Sequence, residues 1–230
     1  MNIAIRHARI RRGAFALAAE GDFTEGVHLV TGGVGSGKST LALTLAGLLQ
    51  PEAGGVEHRG IGSRMMVFQL PEFHITGSTL CAECRSWGAD PDTVLASAGL
   101  RDRMNEDPFC LSRGELRRLV LACVLSRPYD LLILDEPFSS LDCREREQLA
   151  GALSRQPAGI VIVLTHEQTF LPRVDRLWEI TDSSLRDLGE IPAAIMHWDR
   201  APPVVKELVK RGKIPANISR EDLREAACRT

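Results

Sequence analysis

The chain has 230 residues, of which 44% are hydrophobic and 25% are charged. This balance is typical of a globular protein and excludes a disordered or fibrous chain. The formal net charge of −2 provides no overall basic field, so we expect no nucleic-acid partner. No apolar run reaches the roughly 18 residues that a membrane-spanning helix needs, and we expect a folded protein that does not cross a bilayer.

The N-terminal residues and the cysteines indicate the cellular compartment. Arg6, His7 and Arg9 interrupt the first apolar stretch, which is unlike a secretory signal, so a cytoplasmic location is expected. In a reducing compartment the six cysteines are interpreted as thiols. Cys81 and Cys84 have the spacing of a metal or redox pair, but no second pair follows at zinc-finger spacing. We therefore favour two ordinary thiols on a helix face over a metal site.

Strands and helices alternate in the first part of the chain. Residues 26–31 are predicted to form a short buried strand, which leads through a glycine-rich loop into a helix with leucines at helical spacing from 41 to 49. Pro51 and the pair Gly54-Gly55 are expected to end that helix. A second strand is predicted at residues 64–69.

The middle of the chain has a different pattern. From about residue 70 to 126 helical segments follow one another without a convincing strand, which predicts an inserted helical subdomain. Strands return at 130–134 and 159–165, separated by a helix at 143–154. This alternation is typical of an α/β fold with a parallel sheet covered on both faces.

The C-terminal region has a different composition. Prolines punctuate short helical segments there, and Ser219 with Asp222 is predicted to begin the last helix. We expect a main domain at 1–190, which carries the helical insertion, and a short C-terminal helical extension at 191–230.

The glycine-rich loop fits the pattern G-x-x-x-x-G-K-[ST] that binds nucleotide phosphates, and it lies between a strand and a helix as that function requires. Glycines let backbone N–H groups approach phosphate oxygens, and the opening helix adds the positive end of its dipole. Lys38 can reach the β- and γ-phosphates of ATP, and Ser39 can bind Mg²⁺. The predicted ATP ligands of this loop are Gly32, Gly33, Val34, Gly35, Ser36, Gly37, Lys38, Ser39 and Thr40.

An apolar strand ends in two adjacent carboxylates, Asp135 and Glu136. In a parallel sheet this end lies beside the phosphate-binding loop. Asp135 is expected to hold Mg²⁺, directly or through water. Glu136 is expected to orient the water that attacks the γ-phosphate or to accept its proton.

Further motifs resemble those of ABC (ATP-binding cassette) ATPases. The segment Leu111-Ser112-Arg113-Gly114-Glu115 is similar to the LSGGQ signature, Gln69 to the Q-loop glutamine, residues 139–142 to the D-loop and His166 to the switch histidine. The matches span Gly32 to His166 in the family's order. The resemblance implies a P-loop NTPase of the ABC type, with a mostly parallel sheet, antiparallel N-terminal strands and an inserted helical subdomain.

The resemblance also implies roles for these residues. Two subunits would pair head to tail, so that Ser112 and Gly114 close over the γ-phosphate held by the partner, and Asp142 would belong to the same nucleotide site. His166 would steady the γ-phosphate and the attacking water, and Gln69 would pass the loss of the γ-phosphate to the helical subdomain. The expected catalytic residues are Glu136, His166 and Gln69, and the expected Mg²⁺ ligands are Ser39, Gln69 and Asp135.

The chain departs from the family pattern at two kinds of position. Arg113 and Glu115 replace Gly and Gln of the signature, but Ser112 and Gly114 remain, so we expect activity to survive. The aromatic residue that stacks on adenine in many family members has no clear counterpart at residues 10–13. We suggest that Arg12 stacks there through its guanidinium plane.

Two short segments resemble one group within the family. Residues 67–72, followed by 76–80, are similar to the Q-loop region of energy-coupling-factor ATPases, which power vitamin and transition-metal uptake. Residues 202–208 resemble the start of their C-terminal helical piece. The resemblance implies an importer motor on the inner face of the cell membrane, paired with a second ABC ATPase subunit, identical or different, and a transmembrane subunit.

Two other functions are alternatives to an importer motor. A soluble ABC ATPase of DNA repair or of the ribosome is the runner-up, but the chain has no long heptad insertion and only one cassette. A P-loop kinase of small molecules would not explain the signature-like segment or His166.

Overall fold

The computed structural model describes residues 1–155 and 159–228, and within these ranges nine strands form one mixed sheet. The strands are β1 (Asn2–Arg12), β2 (Phe15–Thr24), β3 (Gly26–Gly32), β4 (Ala53–Arg59), β5 (Arg64–Val67), β6 (Leu131–Asp135), β7 (Ile160–Thr165), β8 (Arg176–Thr181) and β9 (Ser184–Glu190). The helices are α1 (Lys38–Leu45), α2 (Leu80–Ser86), α3 (Pro91–Ala98), α4 (Arg113–Leu125), α5 (Cys143–Leu153), α6 (Pro203–Lys210) and α7 (Arg220–Cys228). The sheet order is β4-β1-β2-β9-β8-β3-β7-β6-β5, which confirms the predicted α/β class.

The centre of the sheet is parallel. Strands β8, β3, β7, β6 and β5 run in one direction, and every residue of β6 and β7 is buried. Such continuous burial is expected of strands that are covered on both faces. Because the carboxyl ends of parallel strands meet at one edge, Gly32, Asp135 and Thr165 lie at the same edge of the sheet.

The N-terminal strands are antiparallel, as expected: β1 pairs with β2 and with β4. The prediction that the Gly54-Gly55 pair ends the first helix is wrong, because both residues lie in β4. Helix α1 already ends at Leu45, and Gly47 follows with a φ of 78°. Gly54 serves the strand pairing instead, since a Cβ there would lie 2.3 Å from the carbonyl oxygen of Arg6.

Helices α2, α3 and α4 pack around a small core of their own, which includes Leu95 and Leu119. The structure describes all of residues 70–126 and forms no strand there, in agreement with the helical pattern. Cys84 is fully buried in this core, whereas Cys81 is partly exposed on the same helix. The bounds of the subdomain and of the domain 1–190 remain predictions, and residues 156–158 lie outside the described ranges.

The C-terminal helices α6 and α7 pack on the main body. Val205 and Leu223 belong to the same hydrophobic core as Leu177 of β8. The Oγ atom of Ser219 accepts a hydrogen bond from the backbone N–H of Asp222 at 3.3 Å, so α7 begins where its capping pattern predicted. Residues 229 and 230 of the predicted extension lie outside the described part. Within the described part, none of the helices combines the length and apolar character needed to cross a bilayer.

Candidate active site

The loop between β3 and α1 adopts a conformation that favours glycine. Gly35 and Gly37 have φ values of 78° and 102°, in the left-handed region that side chains rarely enter. A Cβ on Gly37 would lie 2.4 Å from the ring of Phe15, and a Cβ on Gly32 would lie 2.5 Å from Oγ of Ser36. The loop therefore makes the close backbone turn that can wrap around phosphate oxygens.

Lys38, the first residue of α1, is buried next to this loop, with 6% of its side chain exposed. Its Nζ atom donates to the carbonyl oxygens of Gly32 and Gly33 at 3.0 and 3.1 Å. The same atom lies 3.2 Å from Oε1 of Glu136. Because charges interact strongly in a desolvated site, an incoming phosphate would compete with Glu136 for this ammonium group.

Asp135 is buried at the end of β6. Its carboxylate lies near the hydroxyl of Ser39, and its Oδ1 atom has no hydrogen-bond partner among the described residues. Burial raises the pKa of Asp135 despite the opposing effect of the Ser39 hydroxyl, and the charge of Glu136 raises it further. A buried, unpartnered carboxylate oxygen beside a hydroxyl provides oxygen ligands of the kind that Mg²⁺ prefers. These residues therefore fit the predicted Mg²⁺ site.

Glu136 is held by several donors and has an unusual backbone, with a φ of 50°. Its Oε2 atom accepts hydrogen bonds from Oγ1 of Thr165 at 3.0 Å and from the backbone N–H of His166 at 3.3 Å, and Oε1 lies 2.8 Å from Nδ1 of His166. Burial by itself would raise the pKa of Glu136, but the His166 hydrogen bond and the Lys38 charge outweigh it and lower the pKa. The carboxylate is thus ionised near neutral pH and can accept a proton.

Several of these groups line one cavity, whereas the predicted Mg²⁺ ligand Asp135 and the predicted loop ligands Gly32, Gly33 and Ser36 are not part of its lining. Its volume is about 320 Å³, and its lining includes Gln69, Glu136 and His166 together with much of the phosphate-binding loop. The structure therefore brings the predicted catalytic residues to one place.

The signature-like segment and the D-loop do not line this cavity. Ser112 is the N-cap of α4: its Oγ accepts from the N–H of Glu115 at 3.3 Å, and Oε2 of Glu115 accepts from the N–H of Ser112 at 2.8 Å. Gly114 lies against the D-loop, since a Cβ there would come 2.8 Å from the carbonyl oxygen of Ser140. Asp142 caps α5 in the same reciprocal manner. These three predicted nucleotide ligands, from the signature-like segment and the D-loop, thus lie outside the cavity of their own chain.

Comparison with known proteins identifies the family. The family model described as ABC transporter matches residues 23–139, a span that contains the phosphate-binding loop, the signature-like segment, Asp135 and Glu136. The chain belongs to the ABC transporter family. It is an ATP-binding cassette ATPase, as the resemblance of its motifs predicted.

Individual relatives agree with this assignment. The chain is 36% identical over 194 residues to the aliphatic sulfonates import ATP-binding protein of Frankia alni, covering 80% of this chain and 76% of the relative. It is 33% identical over 187 residues to an energy-coupling factor transporter ATP-binding protein of Thermotoga maritima, covering 71% of each. A solved dimeric ATP-binding cassette, MJ0796 with ADP and phosphate bound, matches with a TM-score of 0.67 and 19% identity over 80% of this chain and 97% of its own. That likeness shows the fold.

One aromatic residue that lines the cavity of this ABC ATPase was not predicted from the sequence. The adenine-stacking group is expected at residues 10–13, where Arg12 is the candidate, and Arg12 does line the cavity. Phe15, at the start of β2, also lines it and packs on Gly37 of the phosphate-binding loop. The available signal was an aromatic residue just beyond the Gly13 turn.

A buried arginine was also missed. Arg117 of α4 is fully buried, and its guanidinium donates to the carbonyl oxygens of Phe68 and Gln69 and to Oγ of Ser139. It joins the Q-loop to the turn that follows Glu136. No local signal marks this role, because an arginine on a helix ordinarily indicates a solvated face.

Proposed function

We propose that this ABC ATPase is the ATP-hydrolysing subunit of a membrane importer of the energy-coupling-factor type, which takes up a vitamin or a transition-metal ion. The observation that carries the proposal is the likeness, over 71% of the chain, to an energy-coupling factor transporter ATP-binding protein. The likeness to a sulfonate import protein supports import more generally. The segments 67–72 and 202–208 agree with the narrower assignment.

The cavity would receive the triphosphate of ATP. Lys38 and the backbone of the phosphate-binding loop would bind the β- and γ-phosphates, and Ser39, Gln69 and Asp135 would hold Mg²⁺. When bound, Mg²⁺ would neutralise part of the phosphate charge. The buried Oδ1 atom of Asp135, which has no hydrogen-bond partner in the described part of the chain, supports this assignment.

Glu136 would then act on the attacking water. Its carboxylate contacts both Lys38 and His166. Once phosphates attract Lys38, the carboxylate would be free to orient the water and to accept its proton. His166 has an exposed side chain that could hydrogen-bond the γ-phosphate while its Nδ1 atom stays near Glu136.

A second ABC ATPase subunit would complete the site. Ser112, Gly114 and Asp142 lie outside the cavity of their own chain, so they would reach nucleotide only across a head-to-tail dimer. The dimeric state of the solved cassette with ADP and phosphate supports this arrangement. The dimer would sit on the cytoplasmic face of the membrane and drive a transmembrane subunit.

Trapping the ATP-bound dimer tests the proposal. A tagged Glu136→Gln variant, purified from native membranes with Mg-ATP, should retain a transmembrane protein that mass spectrometry identifies. The matched control adds Lys38→Ala, which should prevent ATP binding and release that partner. Recovery of soluble partners, ribosomes or DNA alone would overturn the importer assignment and leave the ATPase assignment intact.

A further inference from the structure

Glu115 is an acidic residue at the start of the signature helix α4. Its two carboxylate oxygens have different partners: Oε2 accepts from the backbone N–H of Ser112 at 2.8 Å, and Oε1 accepts from Nη1 of Arg103 at 2.6 Å. The hydrogen bonds with Ser112 lower the pKa of Glu115. A negative charge therefore lies directly beside the hydroxyl that is predicted to contact the partner's ATP.

This charge conflicts with the role of the signature. In the head-to-tail dimer, on which this inference rests through the proposed function, the start of α4 faces a γ-phosphate. A carboxylate there would repel the phosphate, and the repulsion would be strong once the interface excludes water. The neutral glutamine of the family's signature would cause no such repulsion.

Arg103 is placed to remove the conflict. It lies in the short turn between α3 and α4, and its side chain is 31% exposed against 27% for Glu115. Among the described residues it is the only cation in a direct ion pair with Glu115. Arg103 also pairs with Glu106, at 2.8 Å, so its charge is shared.

The other nearby cations are engaged elsewhere. Arg113, the second atypical signature residue, lies 3.5 Å from Glu72 of the Q-loop. Arg118 pairs with Glu145 and donates to the carbonyl oxygen of Ala98. Neither forms an ion pair with the Glu115 carboxylate, although the charge of Arg118 also helps to lower the pKa of Glu115. The direct compensation of the Glu115 charge comes from Arg103.

We propose that Arg103 is a positioning residue for ATP hydrolysis, which neutralises Glu115 and so allows the signature of this chain to receive the γ-phosphate bound to a second subunit. Arg103 compensates for the departure of the signature from LSGGQ. It acts through Glu115 and Ser112 and does not itself contact nucleotide.

Removal of both charges in a double variant tests this role. Arg103→Ala should lower kcat for ATP hydrolysis by about tenfold or more, since charges that face the reacting phosphate in a closed site have effects of at least that size. KM for ATP should change little, because the phosphate-binding loop of each subunit is intact. Adding Glu115→Gln to Arg103→Ala should restore most of kcat, and Arg103→Lys should retain it.

A structural role would give a different pattern. A partly exposed ion pair contributes little to stability, so the urea unfolding midpoint of Arg103→Ala should stay close to that of the unmodified chain. Arg101→Ala is the matched control: Arg101 is in the same turn but pairs with Asp92 at 3.6 Å, and its removal should leave kcat unchanged.

Two results would overturn the inference while leaving the proposed function in place. One is an unchanged kcat for Arg103→Ala, and the other is an Arg103→Ala defect that Glu115→Gln does not relieve. If the unmodified chain hydrolyses no ATP and its Glu136→Gln form traps no dimer by sedimentation, the proposed function fails and the inference fails with it.

Discussion

Glu136 and His166 form the contact on which the proposed chemistry of the site depends. The Glu136 carboxylate is buried, which disfavours ionisation, yet its pKa is lowered because His166 and Lys38 stabilise the charged form. The state that accepts a proton is therefore present at neutral pH and persists below the ordinary pKa of a glutamate.

The pH dependence should report this contact. His166→Ala removes a hydrogen bond that lowers the pKa of Glu136, so that pKa should rise, and the acid limb of the kcat/KM profile for ATP should move to higher pH, besides an overall loss of rate. His197→Ala, an exposed histidine outside the cavity, serves as the control. An acid limb that stays in place in the His166 variant would mean that this contact does not set the pKa.

Phe15 and Arg12 compete for the adenine-stacking role. Stacking of a base on an aromatic ring contributes about 1–3 kcal/mol, so Phe15→Ala should raise the Kd for ATP by roughly ten- to a hundredfold. Phe15→Leu keeps an apolar group against Gly37 and should lose most of the same affinity. Calorimetric titration with ATP measures the Kd of both Phe15 variants. A larger loss of ATP affinity for Arg12→Ala than for Phe15→Ala would indicate that Arg12, and not Phe15, stacks on adenine.

Helix α4 connects three parts of the site. Its first residues form the signature, Gly114 lies against the carbonyl oxygen of Ser140, and Arg117 one turn later binds the Q-loop carbonyls. A rotation of the helical subdomain would therefore move the signature, the D-loop contact and the Q-loop together. This arrangement gives a physical route for coupling nucleotide to the subdomain.

Gly114→Ala tests the contact between signature and D-loop. Alanine should favour a helix by about 1 kcal/mol relative to glycine, but a Cβ at 2.8 Å from the Ser140 oxygen forces a shift that typically costs about 1–3 kcal/mol. We expect a net loss of unfolding free energy in urea and a lower ATPase rate. Gly55→Ala, where a Cβ meets no atom within 4 Å, should change neither. If Gly114→Ala were more stable than the unmodified chain, the D-loop backbone at Ser140 would be able to move away from the added Cβ at little energetic cost.

The whole molecule folds around a core that its C-terminal segment helps to form. Trp198 is buried, and its Nε1 atom donates to Oγ1 of Thr31 in β3 at 3.1 Å. The backbone N–H of Arg200 donates to Oε1 of the buried Glu179 in β8 at 3.0 Å. The segment after residue 190 is thus tied to the central strands beside the phosphate-binding loop.

Because α6 and α7 share a hydrophobic core with the sheet, we expect the C-terminal extension and the main body to unfold in one transition. Leu208 of α6 is 5% exposed, and Leu208→Ala should cost about 2–5 kcal/mol of unfolding free energy. The urea curves from tryptophan fluorescence and circular dichroism should remain one coincident transition. Val204→Ala, on the same helix but 47% exposed, should change stability by less than about 0.5 kcal/mol. Two separate transitions would show that the extension unfolds independently.

The sequence predicted best those features that a contiguous segment specifies. The phosphate-binding loop and the Asp135-Glu136 pair were predicted because the local order of strand, glycine-rich turn and helix constrains the backbone wherever it occurs. The burial of β6 and β7 followed from their uninterrupted apolar composition. The predicted end of α1 lies several residues beyond its observed end at Leu45. The local sequence at Gly54 is typical of a helix terminus, but its positive φ serves the pairing of β4 with β1.

By itself, the sequence determined the family and the α/β class and predicted the residues that we propose bind and hydrolyse ATP, since these depend on short motifs in a given order. The tertiary structure decided which distant side chains contact these segments: Phe15 lies against the phosphate-binding loop, Arg117 binds the Q-loop carbonyls and Arg103 pairs with Glu115. The physical reason is that such contacts join segments far apart in the chain. Their partners become neighbours only when the sheet and the helical subdomain have folded.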